Sequence, residues 1–579
     1  MSDYTAKILG SCADLGGLVE YGIVALQDIN KRREAVDLPV IYFLQPEKKL
    51  VKKMAMDFDK GSDEKRVLIA LYTRCYCIFT SRLPKDMVLQ VLSKEERFKE
   101  SVRRLTEVYI DFIAYESRVF TFHTQNALMD ILTASEETIM TVMEQYSEKL
   151  AGLCLSLNEK PNIRYRAPRN TRKSSEKYCN LLASFLGGTS LKKGDLDMSI
   201  ERLPNWQSRS NPGTVLMLDR DIDPIAPLLH DVTYQAVVHD ALDIQDNVLK
   251  LDSKTSYVVD ENDVWWRDYR HRHINEVLRK LTEASNEIKE KNQVASGGQD
   301  SDNWDSKGML NKVRDYPSYR EFTKQYKKHT LILKKLYAYL KPLTKEVLGL
   351  QMDMATQMDT KGTRIKHGDY FKRLIAVCED ETIREETKVR CVLIYIATNG
   401  GISQRELKRV LKLLPPTAVA AVNGFQKFGI NTGEPDKTRR FHCTGVHRES
   451  VEEHMKKNQE WANNQWRYVP LIYGTVKSMI QDTLDEKDFP YIKPPALKTQ
   501  VKSVARVASR RKRGPSTRND EADVDKPRFI VFMLGGLCPS EMRAMYRLSV
   551  EMGVDIVIGS PGLLTAKQYV DALVQSAQS

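Results

Sequence analysis

Phe529-Ile530-Val531-Phe532-Met533-Leu534 runs straight into Gly535-Gly536. Six consecutive apolar residues have the length of a strand, and a strand with no polar alternation is one covered on both faces. The glycine pair behind it suits a tight turn into a helix starting near Ser540. Val554-Asp555-Ile556-Val557-Ile558 reads as the next strand. Two strands with one helix between them make a poor domain alone, and the same grammar occurs about three hundred residues upstream, at Thr214-Val215-Leu216-Met217-Leu218. The economical reading is a parallel-sheet α/β domain interrupted by a large, mainly helical insertion.

The N-terminal region is written the same way. Val40-Ile41-Tyr42-Phe43-Leu44 before Pro46, Val67-Leu68-Ile69-Ala70-Leu71-Tyr72 and Val108-Tyr109-Ile110-Asp111-Phe112-Ile113 read as strands, with a helix predicted over Leu18 to Asn30. These make a second parallel α/β unit. The expected division is residues 1–109 as domain 1, 110–223 with 458–579 as the two segments of domain 2, and 224–457 as the inserted domain 3.

Inside the insertion, Leu333, Leu336, Leu340, Leu343, Val347, Leu350 and Met354 recur at heptad spacing, which predicts one long packed helix bent at Pro342. Asp359 to Gly368 reads as the exposed tip of a helical hairpin near 320–380. Lys291 to Gly308 and Lys498 to Lys526 are polar stretches without apolar periodicity and read as mobile surface loops. No internal repeat is visible.

Composition narrows the class. The chain has 579 residues, 41% hydrophobic and 29% charged, which is globular rather than disordered. No apolar run approaches the length of a membrane span, and Met1 to Lys7 lacks the pattern of a secretory signal, so synthesis in the cytosol is expected. Nine scattered cysteines read as reduced thiols; Cys75 and Cys77, one residue apart, suit neither an ordinary bridge nor a redox pair. A net charge of +12 leaves acidic proteins, anionic lipid and nucleic acid open as partners.

A search for chemistry finds little. Asp219, Asp221 and Asp223 alternate, but an EF-hand loop needs Gly and Glu where Pro224 and His230 stand, so they read as strand-end residues with local bonds. Arg270-His271-Arg272-His273 has too many cations for a metal site and reads as an exposed helix face. Gly535-Gly536 lacks the spacing of a nucleotide loop. Arg510 to Arg513, and the series Arg164, Arg166, Arg169, Arg172 and Lys173, read as solvated loop and charged connector without a nucleic-acid fold. No catalytic residue, metal site or cofactor is indicated, and the residues alone point to a binding protein.

Asp28-Ile29-Asn30-Lys31-Arg32-Arg33-Glu34 ahead of the strand at Val40 resembles the first-domain signature of the Sec/Munc (SM) family of syntaxin-binding proteins. The resemblance continues through Tyr115-Glu116-Ser117, Ile163 to Arg166, Leu218 to Ala236, Arg270 to Ile274, Leu393-Ile394-Tyr395, Asp488 to Ile492 and Phe532 to Gly536, ending at Ile558-Gly559-Ser560. It covers essentially the whole chain in family order, and the exocytic branch is the more similar.

The resemblance implies an arch of three domains, the second built from two segments. It implies binding of a syntaxin-type SNARE, templating of its assembly with the vesicle SNARE, no enzymatic chemistry, no cofactor, no nucleic-acid partner, and a cytoplasmic protein held peripherally at plasma or vesicle membranes. Residue by residue, Lys7, Asp14, Gln27, Asp28, Arg33 and Glu34 fall on the family's syntaxin-binding cavity face. Leu89, Thr106 and Glu107 fall on the pocket for a syntaxin N-terminal peptide. Ile365, Lys366, His367, Gly368 and Leu374 fall on the hairpin that engages the vesicle SNARE, where Gly368 replaces a proline that can hold the bent state. Relatives carry a basic residue at Asp14, an acidic one at Gln27 and a bulkier aromatic at Leu89, so charge pairing and the outer pocket are expected to differ. They also begin with a helix and a strand, about thirty residues in all, ahead of Ser2; their loss would expose sheet edges. The first domain is therefore expected either to be built differently or to start upstream of Met1. An enzyme with a cryptic α/β site and a basic lipid or nucleic-acid binder are the rival classes; endosomal, vacuolar and Golgi fusion are the rival steps.

Overall fold

In a computed structural model the described residues are 1–13, 15–58, 62–63, 66–67, 71–84, 92, 96–133, 135–167, 180–181, 211–296, 317–359, 361, 363, 365–436, 467–495 and 527–578. Fourteen strands occur among them: β1 Val40–Leu44, β2 Ser62–Asp63, β3 Arg66–Val67, β4 Cys75–Phe79, β5 Val102–Glu107, β6 Ile113–Glu116, β7 Val119–Thr121, β8 Asn162–Tyr165, β9 Thr214–Asp219, β10 Asp243–Gln245, β11 Val248–Lys250, β12 Ser256–Val258, β13 Arg528–Leu534 and β14 Asp555–Ser560. The central sheet has the order β6-β7-β14-β13-β9-β8. β13 pairs in parallel with β14 on one side and β9 on the other, Val531 lying opposite Ile558 and Leu216. The interrupted domain read from Phe529 onward is therefore present, with only the β6–β7 pair antiparallel.

The reason is burial on both faces. Phe529, Val531 and Met533 pack on one side with Leu216 and Leu218, against the helices Leu471–Ile480 and Pro539–Met552. Ile530, Phe532 and Leu534 pack on the other with Val215, Met217 and the helix Glu136–Ser156. Gly535 and Gly536 then turn the chain with φ of 87° and 111°, and a Cβ at Gly536 would press on Leu564. Only glycine holds such angles cheaply.

A separate parallel sheet, β1-β4-β5, forms from the first hundred residues. Its strands are not all where expected. The second is Cys75–Phe79, while Leu71–Arg74 lies outside any strand, Arg66–Val67 belongs to a two-residue hairpin, and residues 68–70 lie outside the described ones. Val108 to Phe112 is the connector between β5 and β6, and Cys75 and Cys77 point together into the core. The predicted helix Leu18 to Asn30 is only Leu15–Glu20, ended by Gly22 at φ 84°.

The insertion is mainly helical, with a small antiparallel sheet β10-β11-β12. The heptad seam is buried apart from the half-buried Leu340, but it spans two helices, Pro317–Leu340 and Lys345–Thr356, with Leu343 between them. Pro342 ends the first, and Thr344 caps the second by accepting from Val347 N. Lys291 to Ser296 is helical, the rest of that polar stretch and the loop 498–526 lying outside the described residues. The helix Pro416–Lys427 crosses the C-terminal helix Ala566–Gln578 so closely that a Cβ on Gly424 would overlap the Leu573 carbonyl.

Several charged residues read as surface or connector are in fact structural, around the central sheet and at its seam with the insertion. Arg270 is buried between Glu261 at 2.7 Å and Glu116 at 3.5 Å, and His271 lies against the Tyr546 ring. Arg164, 1% exposed on β8, donates to the carbonyls of Phe489 and Leu484; Arg166 pairs with Asp221 at 2.5 Å, and residues 169, 172 and 173 lie outside the described ones. Asp223, expected to bond locally, takes only one local bond, from Ala226 N; buried, it also accepts from Tyr468 Oη and Leu471 N, which ties the end of β9 to the chain some 245 residues on.

One seam residue gives a pH dependence. Burial pushes the His239 imidazole down to about 4, with Asp240 pulling the other way, and its Nε2 lies 3.3 Å from Tyr115 Oη. A histidine kept neutral in the fold takes up a proton on unfolding below its ordinary value near 6.5, so its share of stability falls as pH drops from about 6.5 to 4. Over that window the loss is on the order of 3 kcal/mol. In denaturant melts the stability difference between the wild type and His239→Gln should be constant above about pH 6.5 and shrink by about 3 kcal/mol as the pH falls to 4; a difference that stays constant across that window would contradict the assignment.

Candidate partner-binding site

Five of the six residues expected on the cavity face are described; Asp14 lies outside them. Gln27, Asp28, Arg33 and Glu34 share one extended segment, residues 21–39, free of helix and strand. Gln27 is exposed and accepts from Tyr72 Oη at 2.8 Å, and its carbonyl accepts from the Met1 amine. Asp28 caps the turn at Asn30 N, and Glu34 is exposed.

Arg33 is not a free cation. Its Nη2 donates to Asp57 Oδ1 at 2.9 Å and its Nη1 to Asp57 Oδ2, which also accepts from Tyr42 Oη at 2.6 Å. That bidentate pair fixes the segment on the core of the β1-β4-β5 sheet. Lys7 is also committed. It bonds Asp3 and Asp246, each at 2.9 Å, and its Nζ lies 3.3 Å from His123 Nε2. Burial pulls the ammonium down, but Asp3 and Asp246 outweigh it and its pKa rises. Asp246 and Asn247, both left-handed, form the two-residue turn from β10 to β11, so Lys7 links the N-terminal helix Asp3–Cys12 to the insertion.

What the charged residues sit among is apolar and open. Val19, Tyr21 and Val24 are 68%, 89% and 80% exposed, and Leu26, Val36 and Leu38 are exposed further along the chain. Six apolar residues held at a surface within one short segment exceed what scattered surface hydrophobics account for.

On β5, Thr106 Oγ1 accepts from Arg104 Nε, and Glu107 accepts from Leu83 N at 2.8 Å and Tyr109 Oη. Both are half-buried; Leu89 lies outside the described residues. In the insertion, Lys366 precedes the helix His367–Glu379, Ile365 packs partly on the helical core, and His367 Nε2 meets Tyr395 Oη. Leu374 is fully buried in that core, so in this conformation it presents nothing to a partner. Of the expected exposed tip, Lys361, Thr363, Lys366 and Gly368 are indeed exposed; the connection is tied by Asp359 Oδ1, which accepts from Lys361 N and Thr363 N.

Gly368 stands in the first turn of its helix with open space where a Cβ would go. Gly368→Ala should therefore stabilise the helix by roughly 0.5 to 1 kcal/mol. Slower amide hydrogen exchange over residues 367–372 would register it; unchanged exchange would mean the first turn is already held by other contacts.

The sequence pattern of the Sec1 family matches residues 1–572. The chain belongs to the Sec1 family. The protein transport protein sec1 of Dictyostelium discoideum is 26% identical over 586 residues, spanning 98% of this chain and 93% of its own. Its namesake in Schizosaccharomyces pombe is 24% identical over 592 residues, covering 98% and 80%. The crystal structure of the Unc18–syntaxin 1 complex from Monosiga brevicollis contains a chain that superposes with a TM-score of 0.78 at 19% identity, covering 99% of this chain and 94% of that one. The structure of the SM protein Vps45 with the Qa SNARE Tlg2 gives 0.75 at 17%, covering 100% and 94%. The fold is shared with both.

For this Sec1-family chain, sequence reasoning missed the exposed apolar set around Tyr21. Its signal was present in the apolar residues at 18, 19, 23, 24 and 26, which helical periodicity absorbed into a buried face. Among the described residues of the Sec1-family fold, no group of three His, Cys, Asp or Glu side chains could hold a metal, and no helix is long and apolar enough to cross a membrane.

Proposed function

We propose that this chain binds a syntaxin-type SNARE through the segment 15–39 and regulates or templates SNARE-complex assembly in vesicle docking and fusion, at the plasma membrane. The observation that carries the reading is the exposed apolar run from Val19 to Leu38, interleaved with Gln27, Asp28 and Glu34. An apolar centre with a polar rim is the anatomy of a specific protein interface. Membership of the Sec1 family supports it, as do the similar structures, in which Unc18 is held with syntaxin 1 and Vps45 with a Qa SNARE. The Dictyostelium relative named sec1 matches at 26%, above the 22% and 24% of the Vps45 proteins of Dictyostelium and Saccharomyces, which favours the exocytic step.

In this reading the chain is not an enzyme and needs no cofactor. It works in the cytoplasm and reaches membranes through its SNAREs. Domain 1 is 1–109, domain 2 is 110–223 with 458–579, and domain 3 is 224–457; the separation of β5 from β6 into different sheets supports the first boundary. Thr106 and Glu107 line the pocket for the syntaxin N-terminal peptide. The connection at Ile365 to Gly368 engages the vesicle SNARE after rearranging, since Leu374 has to leave its core to take part.

Calorimetric titration against cytosolic fragments of the organism's syntaxins, with and without their N-terminal peptides, tests this. Tight binding of one plasma-membrane syntaxin without its peptide is expected. Binding that vanishes with the peptide would move the contact to β5, and none at all would remove the reading.

A further inference from the structure

The helix Lys48–Met56 buries Leu50, Val51, Met54 and Ala55. At 3.6 residues per turn these fill one side, leaving Lys48, Lys49, Lys52, Lys53 and Met56 within an arc of about 140°, with Met56 near its middle. Met56 is 69% exposed. Lys48, Lys49 and Lys52 are exposed and have no ion pair or hydrogen bond among the described residues. Lys53 Nζ donates to Asn30 Oδ1 at 2.7 Å, which sets the exposed Lys31 and Arg32 alongside the helix. Against these six cations stand the exposed Glu34, Asp37 and Glu47 and the half-buried Asp28, which leaves an excess of two; Asp57 is taken by Arg33 and Tyr42.

We propose that this helix face is a direct contact for an anionic lipid surface. Its chemistry favours lipid over an acidic protein. Lysines on long stems are mobile point charges that adapt to any arrangement of headgroups, whereas fixed carboxylates are matched by guanidinium forks. Clusters of four to eight such cations are what an anionic leaflet attracts. A thioether standing out of the cationic ring enters the headgroup boundary at little cost, being flexible and apolar. The lysines of the helix lie outside the segment 15–39, so they would hold the chain against a membrane before any SNARE is engaged.

Flotation of the full chain with phosphatidylcholine vesicles, with and without about 30% phosphatidylserine, tests it. Binding only to the anionic vesicles is expected, falling steeply between low and physiological salt. Lys48→Gln, Lys49→Gln and Lys52→Gln together should weaken it about 100-fold, at roughly fivefold per cation. Removing the same charge elsewhere, with Lys327→Gln, Lys334→Gln and Lys335→Gln, should change it less than about threefold. Thermal unfolding and the syntaxin titration should be unmoved in both variants. Equal losses in the two triple variants would mean net charge alone acts, and undiminished binding in the first would place the contact elsewhere. Capture of polyglutamate through the same lysines without capture of vesicles would make the partner an acidic protein. Each of these three outcomes overturns the proposal.

Discussion

Tyr21→Ser with Val24→Ser is expected to weaken binding of the cognate syntaxin about 100-fold or more, close to 2.7 kcal/mol, while leaving thermal unfolding where it was. Both side chains are more than three-quarters exposed and contribute little to the folded chain alone. Buried against a partner, a tyrosine supplies a large rigid surface at small entropic cost, and aromatic anchors near the centre of an interface are where truncation hurts most. Titration calorimetry of the double variant gives the answer. An unchanged affinity would take the apolar run out of the interface, even if syntaxin still binds.

Glu541→Gln should destabilise the fold by about 3 to 5 kcal/mol. Arg220 and Glu541 are 1% and 0% exposed, and form a bidentate pair with Nη2–Oε1 at 2.5 Å and Nη1–Oε2 at 2.7 Å. The guanidinium cannot lose its proton, so removing the carboxylate charge strands a buried cation whose remaining close partners are the carbonyls of Gly536 and Asp223. The carboxylate also accepts from Cys538 N, so the start of the helix Pro539–Met552 loosens too. Replacing both partners, as Arg220→Met with Glu541→Leu, should recover part of the loss, because the stranded guanidinium is gone while the buried Asp223 carboxylate, which Arg220 also compensates, keeps only its hydrogen bonds. Denaturant melts of the three variants check this; a double variant no better than Glu541→Gln would mean that packing at the turn, not the charge, sets the cost.

How much of this was readable in the sequence follows from what was buried. β9, β13 and β14 were legible because strands covered on both faces are nearly continuous apolar runs. β4 was missed because Cys75–Phe79 carries Tyr76 outward, 40% exposed, and the neighbouring Val67 to Tyr72 is the stronger apolar run. The helix predicted at Leu18 to Asn30 failed for the same reason in reverse: periodicity assumes that apolar residues face a core, and Val19 and Val24 do not. The break at Pro342 was read as a bend because Thr344, which restarts the helix, looks like any polar residue until its bond to Val347 N is seen.

The charged site residues came from resemblance alone. No spacing rule links Arg33 to Asp57 or Lys7 to Asp246, since each pair is joined only by the fold. Buried arginines such as Arg164 and Arg270 were read as surface for want of the partners that make their burial tolerable.

The central sheet also sets a timetable. β9 lies between β8 and β13, yet some three hundred residues of the insertion and its flanks are translated between β9 and β13, about 15 to 60 s at ordinary ribosome speeds. Through most of that interval the apolar strand β9 and its neighbour β8 are out of the exit tunnel with β13 still unsynthesised, and the nascent chain depends on the helical insertion folding first or on chaperones to shield them. A ribosome stalled before Phe529 would carry a folded insertion and an unfinished, adhesive half-sheet.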